Sequence, residues 1–490
     1  MTTLRNCLFA FLGGLLLMAC SDEPQNVQRS DELPPIFPDY TDVTIPVGIA
    51  PLNFNMRGDC ERMDVVVKGA DGSEVHANGA YADFDEDDWH ALLESNKGKD
   101  LTVTVCAKSE GNWTQYRDFS IHVSPYALDE WGLTYRRIAP GYEVFSQMGL
   151  YQRDLSTFDE YEIIENTRIP GQCVNCHSAR QTDPEQFVFH VRGEHGATMF
   201  QQQGKREWLK AKSDLLGGSM VYPYWHPSGK YCAFSTNQTR QGFHVISGER
   251  IEVFDLSSDV FVYNPETHEI LTDSLLSTPD WSENTPVFSP DGKTLYYMTC
   301  RQQDYPAHYK QEQYNLCKVG FDPETGTYGD HVDTLFNAVK MGKSLTWPRP
   351  SYDGKYILFT LMDYGYFSVW HEESEQWLLD LATGEARPID EINAPGADSF
   401  HNWNVNSHWV VFTSRRDNGL YTQLFLTSVD DQGRFTKPFL LPQRNPKDYY
   451  DKTFYSFNTP DFTKTKVDFD SRSAAQEILS DQRVATKAKE

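Results

Sequence analysis

One local pattern recurs along the second half of the chain, and it leaves few folds open. Tyr224-Trp225-His226-Pro227-Ser228-Gly229-Lys230-Tyr231-Cys232-Ala233-Phe234-Ser235 is echoed at 286–297, around Pro290-Asp291-Gly292-Lys293, and at 349–360, around Tyr352-Asp353-Gly354-Lys355. A worn copy runs over 403–413 and ends Trp409-Val410-Val411-Phe412-Thr413. Each copy reads as a strand, a tight turn whose glycine takes positive φ, and an apolar strand covered on both faces. The turn glycines stand 63 and 62 residues apart, and the worn turn follows about 53 further on. Such a period supplies one small sheet per repeat. A sheet of that size buries its faces only against its neighbours, which closes the series into a ring of blades.

Aromatic residues make up 13% of the 490, and 26 Pro with 32 Gly supply turns, so the fold class is all-β. Residues 39–125 precede the repeats and hold short strand runs at 43–47, 63–67, 101–106 and 119–123, the pattern of a small Ig-like β-sandwich. The propeller is expected over 126–470. Four blades are visible, and 133–166 and 454–469 supply material for two more, giving about six; a tail, 471–490, follows. The acidic run 83–88 lacks the glycine and closing glutamate of a calcium loop. Asp87 or Asp88 is expected instead to cap a short helix over 89–95.

Within the propeller span lies Cys173-Val174-Asn175-Cys176-His177, the spacing that attaches c-type haem through two thioethers and a histidine ligand to iron. With 9 Cys and 14 His, chance gives about 0.005 such matches. On this reading residues 165–200 are an insertion of loop plus short helix carrying one haem c, and His177 is the iron ligand. Met199, His190 and His195 are the candidates for the sixth position, and Arg192 for a propionate. Three other readings stay open: a Cys173–Cys176 disulfide, half of a zinc site, or a thioredoxin-like redox pair. For Met199, Arg192 and His190 the structural alternative is a place in the core, an ion pair or a satisfied strand position.

Residues 1–19 read as an export signal, with Arg5 before an apolar run at 8–18 too short to span a bilayer. Leu17-Met18-Ala19-Cys20 then matches a bacterial lipobox, which implies acylation of Cys20. Residues 20–38 form a lipidated tether, and Ser21-Asp22-Glu23 looks like a surface-export tag. Among the other cysteines, Cys60 pairs with Cys106 and Cys300 with Cys317 as candidate disulfides, leaving Cys232 a core thiol. A net charge of −26 argues against nucleic acid and against anionic headgroups. The hydrolase elbow, the zincin helix motif and the dinucleotide fingerprint are all missing, so no hydrolase or transferase is expected and a redox role is left open. Met341-Gly342-Lys343-Ser344 makes an incomplete phosphate cradle. Trp370-His371-Glu372-Glu373 reads as an acidic solvated loop rather than a cation site.

The repeats resemble the WD-like repeats of TolB-type propellers across 126–469. The whole chain resembles a group of secreted bacterial lipoproteins that join an N-terminal β-sandwich, a Cys-Val-Asn-Cys-His motif and a TolB-like propeller. The resemblance implies an outer-membrane lipoprotein, periplasmic or surface-exposed, held by its lipid and meeting an envelope protein or redox partner. Two functions are consistent with it. One is covalent haem for electron transfer or sensing. The other is non-enzymatic protein or glycan binding, with Cys173–Cys176 as a disulfide.

Overall fold

A computed structural model describes residues 23–139, 147–210, 215–244 and 251–489. The export signal and Cys20 lie outside the described residues.

The N-terminal unit is built on one sheet. Its central strand, Asp100–Ser109, pairs with Arg62–Gly69 on one side, and on the other first with Phe119–Val123 and then with Asn112–Gln115. The second layer consists of the short Ile36–Phe37 and Asn55–Met56 ladder, extended chain, and the helix Glu86–Ser95, which buries Trp89, Leu92 and Leu93. The helix starts earlier than expected. Asp85, not Asp87 or Asp88, is its cap and accepts from the backbone N–H groups of Asp87 and Asp88, because the first free N–H groups of a helix lie within reach of the residue before its first turn.

The rest is a six-bladed β-propeller, each blade a four-stranded antiparallel sheet. Blades 2 to 6 begin at the channel with Cys173–Arg180, Met220–Trp225, Trp281–Phe288, Ser344–Pro350 and Asp398–Trp403 and run outward in chain order. Blade 1 is composite. Gly132–Ile138, Met148–Asp154 and Glu160–Glu165 form its outer three strands, and Ser456–Thr463 returns from the far end of the chain as its inner strand. The two stretches expected to make two blades therefore make one. The missing blade is the stretch 165–200, expected as an inserted loop and helix: Cys173–Arg180, Asp183–Arg192, Ala197–Gln202 and Lys205–Lys210 are blade 2. The buried faces of Val174, Phe187, Phe189 and Met199 leave no apolar stripe that a helix could use. The tail is ordered too: Ser471–Leu479 is a helix, and Lys487–Ala488 adds a parallel fifth strand to blade 3.

Every inner strand carries the same irregularity. Two residues of it face one residue of the next strand: Cys176 and His177 face Phe189, Tyr222 and Pro223 face Phe234, and Thr285 and Pro286 face Tyr297. Trp347 and Pro348 face Phe359, Phe400 and His401 face Phe412, and Thr459 and Pro460 face Tyr135. The first residue of each pair has positive φ, between 35° and 55°. The residue opposite is a Phe or Tyr that is almost fully buried in all six blades. This is a β-bulge repeated around the ring.

Removing one of these rings should show its weight. Phe359→Ala is expected to lower the stability of the folded chain by about 3–5 kcal/mol, read as a shift in the urea midpoint at unchanged slope. A shift below a third of that would mean that the aromatic ring does not hold the bulge.

Candidate functional site

The bulges divide the channel. On one side lies a narrow space of about 50 Å³ lined by His177, Tyr224, Arg349, Tyr352 and Asp461. On the other side opens a cavity of about 530 Å³, within the range of small-molecule sites. Cys176, Tyr222 and Thr459 line both and form the partition.

Cys173, Cys176, Arg136, Arg192, Arg240 and Arg415 line the larger cavity, and Tyr222, Tyr366, Trp370 and Phe400 give it aromatic walls. No carboxylate lines it among the described residues. Arg136 donates from Nη2 toward Cys173 Sγ at 3.3 Å and from Nε to the Val174 carbonyl at 3.1 Å. Arg415 stacks over the Trp370 ring at 3.8 Å. Among the described residues, the thiols of Cys176 and Cys173 and the phenols of Tyr222 and Tyr366 act on the Arg192 guanidinium and favour its charge against the desolvation that opposes it. Burial pushes the Cys176 thiol up, and Arg192 pulls against it.

The haem motif is therefore only partly assembled. Cys173, Cys176 and Arg192 share the cavity, and His177 does not. On a regular strand His177 would point the same way as Cys173, four residues earlier. The bulge shifts the alternation by one residue. Val174 before it and Ala179 after it both pack against blade 1, and His177 joins them, with Nε2 at 3.1 Å from Thr134 Oγ1 of blade 1. Burial holds the imidazole neutral and brings its pKa down to about 4.

None of the three expected sixth ligands lines the cavity. Met199 lies in the core between blades 1 and 2. His190, also neutral with its pKa brought down to about 3 by burial, bonds through Nδ1 to Thr198 Oγ1 at 3.0 Å. His195 faces Asp481 of the C-terminal segment at 2.9 Å. No group of three or more His, Cys, Asp or Glu suited to a metal occurs among the described residues.

The expected disulfides are not formed; Cys60, Cys106, Cys173, Cys176, Cys300 and Cys317 are free thiols. Cys317 lies opposite Tyr297 and Cys106 opposite Asp64. Their proposed partners stand three and four residues further along, at about 3.3 Å per residue and out of reach of a bridge. Cys173 and Cys176 are likewise spread along one strand. His371 belongs to no solvated loop: it is buried between Glu252 Oε1 at 3.5 Å and Glu373 Oε1 at 3.1 Å, and these carboxylates keep it charged, its pKa raised to about 9 despite the desolvation that opposes it.

Sequence reasoning missed Arg136, Arg240, Arg415 and the aromatic walls. One signal was present: Phe189-His190-Val191-Arg192 and Phe412-Thr413-Ser414-Arg415 place an arginine three residues after the bulge-facing aromatic in two blades.

Fold and site together define a six-bladed propeller with an arginine-lined cavity at one mouth of its channel. No family model and no curated protein matches the chain. Among solved structures it is similar to TolB from Acinetobacter baumannii, at 14% identity and TM-score 0.42, over 77% of this chain and 85% of that one. It is also similar to an oligogalacturonate lyase in complex with manganese, at 13% identity and TM-score 0.34, over 63% and 72%. A puromycin-hydrolyzing peptidase of Mycobacterium tuberculosis follows at 13% identity and TM-score 0.36, over 71% and 52%.

The direction of His177 has a consequence in pH. Its folded pKa of about 4 lies below the ordinary 6.5, so the folded chain takes up this proton less readily than the unfolded one. The associated stability is complete above pH 6.5 and is lost as pH falls through about 4. In urea unfolding at pH 7 and pH 4.5, His177→Gln is expected to lose less stability between the two than the parent chain. Equal losses would place the imidazole in solvent.

Proposed function

We propose that the chain is a non-enzymatic binding propeller of the cell envelope, tethered through Cys20, whose recognition site is the cavity at the channel mouth. The observation that carries this reading is the convergence of side chains from blades 1, 2, 3, 5 and 6 on one recessed space. The lipobox at Leu17-Met18-Ala19-Cys20 supports the tether. The N-terminal unit, packed on blades 1 and 6, supports a role as a rigid stalk.

Covalent haem c is the second reading, favoured by the presence of both motif thiols and Arg192 in the same cavity. Porphyrin chemistry would add electron transfer or sensing. The residues fit it incompletely, because the imidazole that should hold the iron is committed to the blade 1 interface.

Protein purified from a host with intact cytochrome c maturation decides between the two. The binding reading expects a colourless protein with no peroxidase-positive band after denaturation. A band that survives denaturation and disappears in Cys176→Ala would overturn it in favour of haem. Separately, Cys20→Ala is expected to release the protein from the membrane fraction, and retention of that variant would refute lipid anchoring.

A further inference from the structure

Directly after the bulge pair come Asp461, Ser178, Tyr224, Val287, Arg349 and Asn402 in blades 1 to 6. All but Val287 line the narrow space of about 50 Å³, on the other side of the partition from the larger cavity. Two of them, Arg349 and Asp461, carry opposite charge and are more than nine-tenths buried. Their contacts go elsewhere. Asp461 accepts from Asn402 Nδ2 at 2.8 Å and from the Ala179 backbone N–H at 3.3 Å. Arg349 donates from Nη1 to the Pro348 carbonyl at 2.8 Å and lies over the Trp347 ring at 4.0 Å. The two charges act on each other across the space without an ion pair. Burial weakens both, bringing the pKa of Arg349 down to about 10 and that of Asp461 up to about 7, because attraction at this separation does not offset their desolvation. Arg349 Nε and His177 Nδ1, both of residues that line the space, are buried without a hydrogen-bond partner among the described residues.

The volume is several times the roughly 10–15 Å³ that one water needs, so it admits a molecule of a few non-hydrogen atoms. A lone anion on Arg349 would face Asp461, and a lone cation on Asp461 would face Arg349. A molecule that carries both charges answers both walls. We propose that this axial chamber binds the zwitterion of a small α-amino acid, its carboxylate on Arg349 and its ammonium on Asp461. The guanidinium fork matches the carboxylate, and the lone pairs that Asp461 retains beside Asn402 and Ala179 accept from the ammonium. Ser178, Tyr224 and His177 Nδ1 complete the polar wall. The chamber is separate from the cavity at the channel mouth, and its occupancy does not depend on what that cavity holds.

Calorimetric titration of the full-length chain tests this, in buffer at about pH 8, where Asp461 with its pKa of about 7 is largely ionised. Glycine and L-alanine are expected to bind with one site per chain. Glycolate and ethylamine, which each keep only one of the two charges, are expected to bind about 30-fold more weakly or worse, as loss of one partner of a buried charge pair does. L-Phenylalanine is expected to be excluded by size. Asp461→Asn keeps the shape of the side chain and is expected to exchange the preference, losing glycine and gaining glycolate. A misfolded variant cannot produce that gain, so the result does not depend on an unchanged fold being assumed. No heat with glycine or L-alanine at millimolar concentration would overturn the proposal and leave the chamber to water. Glycine binding that Asp461→Asn leaves unchanged, or glycolate bound as well as glycine by the parent chain, would overturn it too.

Discussion

Two residues facing one, six times around the ring, is the contact on which the propeller depends. A non-glycine residue at positive φ costs on the order of 1 kcal/mol, and here every inner strand carries one. The opposing Phe or Tyr offsets it: burial of such a ring contributes about 1.5–3 kcal/mol, and each sits wedged behind the bulge with almost no exposure. In four blades the second bulge residue is proline, which is tolerated because the bulge already takes that position out of the ladder. The bulge also reverses the alternation of side chains halfway along each inner strand. Residues that face the channel on one side of the partition therefore face the neighbouring blade on the other.

Closure adds a second constraint. The ring is sealed by Ser456–Thr463 pairing with Gly132–Ile138, a contact between segments more than 300 residues apart, and that seam is where the N-terminal unit sits. Its core runs without a break into Leu133, Tyr135, Trp409, Leu424 and Phe462 of blades 1 and 6. Tyr40 donates to the Leu440 carbonyl at 3.2 Å, and Asn53 donates to the Arg444 carbonyl at 2.9 Å. The N-terminal unit thus buries the flanks of the seam that would otherwise be the weakest point of a closed sheet. The channel mouth stays independent of that bracing: among the described residues, those that line the cavity all belong to the propeller.

The architecture was legible wherever a repeat kept its turn. Gly229, Gly292 and Gly354 take φ between 71° and 73°, and the strands after them are the buried second strands that their apolar runs announce. Blade 2 was not legible because its corresponding turn is Gln181-Thr182, two non-glycine residues at positive φ, so the marker of the repeat is absent. The composite blade was hidden for a different reason: no local pattern states that 456–463 and 132–138 are neighbours. The cavity was less legible still. Each of its arginines comes from a different blade, and the spacing that relates Arg192 to Arg415 emerges only once the bulge-facing aromatics are aligned.

The Cys-Val-Asn-Cys-His spacing shows why a motif is also a statement about backbone. On a helix, residues one, four and five of such a run share a face, so two thiols and an imidazole can address one ring. On a bulged strand the same run sends Cys173 and Cys176 into the cavity and His177 into the blade interface. Blade 6 provides the comparison within the molecule. Phe400-His401 occupies the same bulge, has the same buried histidine, and has Ala397 where a cysteine would be needed. A histidine at this step therefore needs no iron to account for it. It fills the place that proline fills in four other blades, as a flat ring set against the neighbouring sheet. The cysteines are the part of the motif left unexplained by the fold, and they are also the part that faces the arginines.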